Sequence, residues 1–254
     1  MLLTGASSGI GRALAIQLAE QRADLLITAR RADRLETLAT ELRSRGVRVS
    51  VVVGDIVLPA TRDELVQTAM SEFDGLDVLI NNSGVGTYGA FATSDEARLR
   101  RLMEVNFFAP AELTRATLPL LMRGRDPLIV NVGSVLGHVA VPNKSEYCAS
   151  KFAMHGFSDA LRCELASQQI ALLLVSPSTT KSEFFDSLIE PQVAPAVSPF
   201  AMTAEAVASR IVAAMRSRRR EIVLSWGGKT LVLVDRILPW LSNWILTRFG
   251  GRKF

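Results

Sequence analysis

Short, almost wholly apolar runs alternate along this chain with longer amphipathic ones. Leu25 to Thr28, Val47 to Val53, Val78 to Ile80, Leu128 to Val132, Ile170 to Val175 and Ile222 to Leu224 read as strands covered on both faces, since a strand with one wet face would alternate polar and apolar positions. Arg12 to Gln21, Arg34 to Arg45, Arg62 to Phe73 and Glu96 to Met122 carry apolar residues at helical spacing. The alternation predicts an α/β fold, a parallel sheet with helices on both faces. Only Met1, Leu2 and Leu3 precede the first turn motif, where a full strand would stand. A truncated first strand is therefore expected, and the lack of a visible secretory signal carries little weight. Ser176 to Thr203 has no clear period and contains Pro177, Pro191, Pro195 and Pro199. A loop this long in a compact fold is usually functional, so residues 178–203 are expected to form a substrate-binding loop.

Composition narrows the class. The 254 residues are 48% apolar, enough for one domain spanning 1–254. A net charge of +4 without dense basic tracts excludes a dedicated nucleic-acid binder. Cys148 and Cys163 are the only cysteines, too few for a disulfide framework, which suits a reducing, cytoplasmic setting. With two cysteines and two histidines scattered, no metal-ligand cluster is expected. His138 reads as a solvated loop residue, and Arg216 to Arg220 as a solvated helix end.

Thr4-Gly5-Ala6-Ser7-Ser8-Gly9-Ile10-Gly11 lies between an apolar stub and an amphipathic run. Its glycines let the backbone turn tightly and approach a phosphate, which the first N–H groups of the following helix attract. A dinucleotide's ribose is read roughly 20 residues further on, at the end of the second strand, where an acid selects NAD and a base admits the 2′-phosphate. Here that strand ends Thr28-Ala29-Arg30-Arg31, so NADP(H) is expected, with Arg30 meeting the phosphate, helped by Arg31 or Arg12. Tyr147 and Lys151 lie one helical turn apart; an ammonium beside a phenol lowers its pKa and brings it nearer to working pH.

The order and spacing of these motifs resemble the short-chain dehydrogenase/reductase family over essentially the whole chain. Asn81-Asn82-Ser83-Gly84 follows the fourth strand, with Ser83 where the family has alanine. Asn106 and Ser134 match two further family positions. The resemblance implies a Rossmann-type, doubly wound sheet of about seven strands, order 3-2-1-4-5-6-7. It implies an oxidoreductase whose catalytic residues are Asn106, Ser134, Tyr147 and Lys151. Tyr147 would exchange the proton and Ser134 would hold the substrate oxygen. Lys151 would lower the Tyr147 pKa, and Asn106 would fix a water that resupplies the proton. The implied cofactor contacts are Gly5, Ser7, Ser8, Gly9, Ile10, Gly11, Arg30, Arg31, Asp55, Ile56, Asn82, Ser83, Gly84, Tyr147, Lys151, Pro177, Thr180 and Ser182. Pro177-Ser178 departs from the family's Pro-Gly, which questions the local loop conformation. A small carbonyl or alcohol substrate and a homodimer or homotetramer follow from the same likeness.

From residue 229 to 254 the chain ends in an apolar tail. Val234, Ile237, Leu238, Leu241, Trp244, Ile245 and Phe249 recur near helical spacing, interrupted by Asp235, Arg236, Pro239 and Asn243. Those interruptions argue against a bilayer span. A lid or subunit contact remains open beside peripheral membrane attachment through Trp240 and Trp244, flanked by Arg236, Arg248, Arg252 and Lys253. Both favour an apolar substrate. A dinucleotide-binding regulatory protein without turnover, and a membrane-surface protein, remain the alternative classes.

Overall fold

Nine strands are present among the residues described by the computed structural model, 1–184, 188–189 and 201–249. They are β1 (Leu2–Thr4), β2 (Leu25–Ala29), β3 (Val49–Val53), β4 (Val78–Asn81), β5 (Leu128–Val132), β6 (Ala171–Ser176), β7 (Thr180–Lys181), β8 (Met202–Thr203) and β9 (Glu221–Val223). Seven form one sheet in the order β3-β2-β1-β4-β5-β6-β9, with parallel pairing throughout. This is the expected arrangement; its last place falls to β9 because β7 and β8 pair with each other outside the main sheet. As expected, β1 is short, with three residues.

Helices cover both faces. Helices α1 (Gly9–Glu20) and α2 (Ala32–Arg43) lie on one side with α7 (Ala204–Arg216). Leu14, Leu18, Leu38 and Ile211 pack there against Leu3, Ile27 and Val130. Helices α3 (Pro59–Phe73), α5 (Ala109–Leu121) and α6 (Ser145–Glu164) lie on the other, where Leu65, Leu113 and Leu161 meet Leu2, Leu26, Leu79 and Ile129. Leu2 faces one layer and Leu3 the other, as the two-residue period of a strand requires. That is why these strands read as unbroken apolar runs.

Three expectations change. The strand expected over Val47 to Val53 starts at Val49, because Gly46 turns the chain at φ +81° just before it. The helix expected over Glu96 to Met122 is interrupted: α4 (Glu96–Met103) and α5 flank a π turn at Glu104–Phe108. Pro110 is the cause, since it has no N–H to give the carbonyl of Asn106 four residues back. The ladder widens instead, and Ala109 N donates to the Glu104 carbonyl. Third, Arg218 is no solvated helix-end residue, because its guanidinium donates to the Asp126 and Pro127 carbonyls.

In the tail, α8 (Trp226–Ile237) and α9 (Pro239–Phe249) meet at Leu238, and Pro239 opens the second helix rather than breaking one. Proline suits that first position, where the missing N–H has no intrahelical partner anyway. No described helix is long and apolar enough to cross a membrane. Pro191, Pro195 and Pro199 of the expected loop, with Arg252 and Lys253 of the tail, lie outside the described residues.

One ion pair is buried where the sequence signals none. Arg98 on α4 donates through Nε (3.0 Å) and Nη2 (2.5 Å) to Glu146 Oε2 on α6, and the two side chains are 1% and 3% exposed. Removing one partner strands the other charge away from water, at a cost of roughly 3–5 kcal/mol. Arg98→Ala should therefore lower unfolding stability by about that much in a denaturant titration; a loss below about 1 kcal/mol would mean that water reaches Glu146.

Candidate active site

The glycine turn leaves the carboxyl end of β1 and enters α1. Gly5 and Gly9 hold φ at +68° and +51°, a region that side chains with a Cβ rarely occupy. Gly11 is fixed by space instead: a Cβ there would stand 2.1 Å from the Gly5 carbonyl oxygen and 2.7 Å from Asn82 Nδ2. The turn is tied to β4 by Thr4, whose Oγ1 accepts from Asn82 N and Ser83 N, both at 3.0 Å. Asn82 Nδ2 also donates to Thr4 O at 3.0 Å. Ser8 precedes α1 without capping it through its side chain, so the first-turn N–H groups face the cleft with the helix dipole behind them.

Above the turn it is Arg31, more than Arg30, that reaches over. Its Nε and Nη2 donate to Ser7 Oγ at 3.2 and 3.0 Å, and Nη2 also to Ser8 Oγ at 2.7 Å. Arg31 and Arg34 both bind the Glu183 carboxylate, so two guanidiniums already converge on one anion at the mouth of the turn. They hold the Glu183 carboxyl below its usual range, the hydrogen bond from Arg34 contributing most. Arg30 is exposed. Arg12, expected as a helper, instead pairs with Glu41 at 2.6 Å.

On the other wall stand Ser134, Tyr147 and Lys151. Ser134 follows β5, and its Oγ accepts from Leu136 N at 3.1 Å. Burial pushes the Tyr147 phenol up to about 12, against a smaller lowering by its hydrogen bond with Ser134. The expectation that Lys151 lowers this value is not met. Lys151 Nζ donates to Val132 O at 3.1 Å and lies 5.7 Å from the centre of the Tyr147 ring. Burial also acts on Lys151, bringing its ammonium down to about 8. Both shifts have one origin, a site that disfavours net charge.

Asn106, on the π turn, is buried and spends its side chain on the scaffold. Its Nδ2 donates to Val85 O and Ser150 Oγ, and its Oδ1 accepts from Val85 N, each at 2.9 Å. Only its main-chain carbonyl, deprived of a helical donor by Pro110, remains for the water expected here. Gly84 stands between: a Cβ on it would lie 3.3 Å from Asn106 Oδ1 and 3.6 Å from Lys151 Nζ.

Every expected cofactor contact, with Ser134, lines one cleft of about 650 Å³. Asn106 stands behind its wall. The sequence reading missed Arg101, which meets Asp55 at 2.6 Å and also lines the cleft. It missed Asn131 as well, although a polar residue in an apolar strand is a usable signal. Asn131 accepts from Asn81 and donates to Ser158 Oγ, both at 2.9 Å, linking β4 to α6 through the sheet. His138 was expected in solvent, yet its side chain is 3% exposed and reaches Glu221 at 3.1 Å.

A model of the short chain dehydrogenase family matches residues 1–192. Nodulation protein G of Rhizobium sp. (strain N33) is 38% identical over 194 residues, 75% of this chain and 77% of that one. A short-chain dehydrogenase from Sphingobium yanoikuyae in complex with NADPH superposes at TM-score 0.81 with 26% identity, covering 100% of this chain and 97% of the other. A short chain dehydrogenase/reductase from Burkholderia phymatum in complex with NAD reaches TM-score 0.86 at 24% identity, covering 100% and 96%. The fold alone therefore leaves the choice between those two cofactors to local side chains.

Gly11→Ala tests the turn's geometry. A methyl group 2.1 Å from a backbone oxygen forces the turn off Asn82, and strain of this kind costs roughly 1–3 kcal/mol. The thermal transition should fall accordingly; an unchanged transition would mean that the turn is open.

Proposed function

The chain belongs to the short-chain dehydrogenase/reductase family, and on that premise we propose that it is an NADP(H)-dependent oxidoreductase acting on a carbonyl or alcohol group of a lipophilic molecule. The observation that carries this is the meeting, in one cleft, of the glycine turn under Arg31 with Ser134, Tyr147 and Lys151. When bound, the nicotinamide supplies or takes the hydride. Tyr147 is protonated at neutral pH, since burial holds its phenol near 12, so it is ready to give a proton to a carbonyl oxygen. Ser134 holds the same oxygen and stabilises charge that develops on it. Lys151 keeps a cation behind the phenol and binds the ribose. Asn106 positions the segment that resupplies the proton.

The residues fit a 2′-phosphate. Arg31 already spans Ser7 and Ser8, and with Arg34 it gathers a carboxylate that stands in for such an anion. The Asp55 carboxyl is held below its ordinary value, against burial, mainly by its hydrogen bond from Arg101, with Arg30 adding a smaller charge effect.

The apolar substrate follows from the wall beyond Tyr147, where Val85, Val141, Phe184 and Leu231 line the cleft. Ile189 packs with Val85 beside this wall, where its N donates to Gly86 O at 2.8 Å and its O accepts from Thr87 Oγ1 at 3.0 Å. Helix α8 contributes Leu231 to this wall and turns Trp226, Leu233 and Ile237 outward, with Trp240 and Ile245 exposed on α9. Among the described residues of these two helices, Lys229, Arg236 and Arg248 are exposed, against the single acid Asp235. An exposed apolar face rimmed with positive charge suits an anionic membrane surface that stores apolar substrates. A subunit contact through the same face is the competing reading.

Tyr147→Phe should cut kcat by about 10²–10⁴-fold with little change in NADPH binding, measured by fluorescence titration. Carbonyl reduction should hold steady below about pH 8 and fall above it as Lys151 loses its proton, whereas Tyr147 keeps its own until about 12. A profile flat through pH 9.5 would remove Lys151 from the reaction.

NADPH should be preferred over NADH by about ten- to a hundred-fold in kcat/KM, the worth of one charge-assisted contact. Arg31→Ala should erase most of that preference, and Arg30→Asp should reverse what is left by repelling the phosphate. Equal use of both cofactors by the parent protein would overturn the assignment.

A further inference from the structure

Behind the Ser134 wall, the fold gathers two imidazoles and a carboxylate that the sequence keeps far apart. His138 lies just after the short turn that follows Ser134, His155 on α6 one turn beyond Lys151, and Glu221 on the edge strand β9. Their ligand-type atoms all lie within 4.8 Å of one another, which corrects the expectation that no such cluster exists. The imidazole rings are 4.2 Å apart between centres.

The bonding around His155 resembles that of a metal ligand. His155 Nδ1 donates to Gly137 O at 3.0 Å, which leaves Nε2 as the nitrogen that would face an ion. Metal-bound histidines almost always spend their second nitrogen in this way. That Nε2 faces Asp159 Oδ2 at 3.2 Å, a contact that either a proton on Nε2 or a shared metal ion would satisfy. His138 Nε2 sits 2.8 Å from Ser176 Oγ and 3.1 Å from Glu221 Oε1. His138 Nδ1 and Glu221 Oε1 are both buried without a well-aligned hydrogen bond. Two further cations are close: Arg162 binds the other oxygen of Asp159 at 2.7 Å, and Arg236 acts on Glu221 from α8.

The geometry points to a divalent transition-metal site of the zinc class, with His138, His155 and Glu221 as ligands and Asp159 within reach as a fourth. Imidazole nitrogens with a carboxylate suit zinc better than magnesium or calcium, which prefer all-oxygen sets. With bonds of about 2.0–2.1 Å, tetrahedral zinc keeps its ligand atoms roughly 3.3 Å apart. The 3.1 Å and 3.2 Å contacts already have that spacing. Rotation of Glu221, 32% exposed on the sheet edge, brings its carboxylate inward and also opens a path for the ion. Bound there, the ion braces the Ser134 turn against the helix that carries Tyr147 and Lys151, so it acts on the active site by positioning.

The test uses the whole chain after chelator treatment. Co²⁺, titrated by visible absorption, should saturate at one equivalent with a tetrahedral-type band, and Zn²⁺ should displace it. Zn²⁺ should also raise the thermal transition, as any ligand of the native state does. His155→Asn, which can retain a donor for Gly137 O, and Glu221→Gln should each weaken Co²⁺ binding at least about tenfold, with metal-free melting close to that of the parent. Absent saturation at one equivalent, or parental affinity in both variants, refutes the site. Should one variant fail to fold, the other decides.

Discussion

A parallel sheet opens a crevice where its strand order reverses, and the two strands that diverge there need a tie at their carboxyl ends. In this protein those strands are β1 and β4, and β1 has only three residues to contribute ladder bonds. Thr4 supplies the tie, accepting bonds from Asn82 N, Ser83 N and the Asn82 amide, all on the β4 side. They also set the floor of the cleft. Asn82 Nδ2 stands where any side chain on Gly11 would have to go, so the tie and the glycine turn are one packing problem. Asn82, expected as a cofactor contact, serves first to hold open the space in which contacts are made.

Charge on the opposite wall is governed by dehydration. Tyr147 and Lys151 move in opposite directions, each toward its neutral form. The phenol thereby keeps its proton firmly, while the ammonium is brought near neutrality. Further from the cleft, the protein stabilises buried charge by pairing it, as with Arg98 and Glu146 next to Tyr147 in sequence. The helix bearing the phenol is anchored from both sides, through Glu146 to α4 and through Ser150 to Asn106.

Much of this was legible in the sequence because it is local. The glycine turn, the one-turn spacing of Tyr147 and Lys151, and the doubly covered strands need only neighbours to be recognised. The choice between Arg30 and Arg31 was not legible. Adjacent residues at a strand end point to opposite sides, and which one faces the turn depends on the pleat of β2 within the sheet. Arg98 with Glu146, and His138 with Glu221, join positions far apart in the chain; no periodicity announces them. The π turn was hidden for another reason: apolar spacing continues across it, and Pro110 reads equally well as an ordinary early-helix proline.

That turn has a consequence for how the chain tolerates change in length. A π turn carries one residue more than the α-helix beside it and so rotates everything downstream about the helix axis. Deleting one residue between Glu104 and Phe108 would shorten the segment and remove the extra residue of the turn. It would also swing Asn106 off Val85 and Ser150, and carry α5 round its axis relative to the sheet. The extra residue is a phase correction that lets α4 and α5 each present an apolar face to its own neighbours. A change of length here cannot be confined to the segment in which it is made.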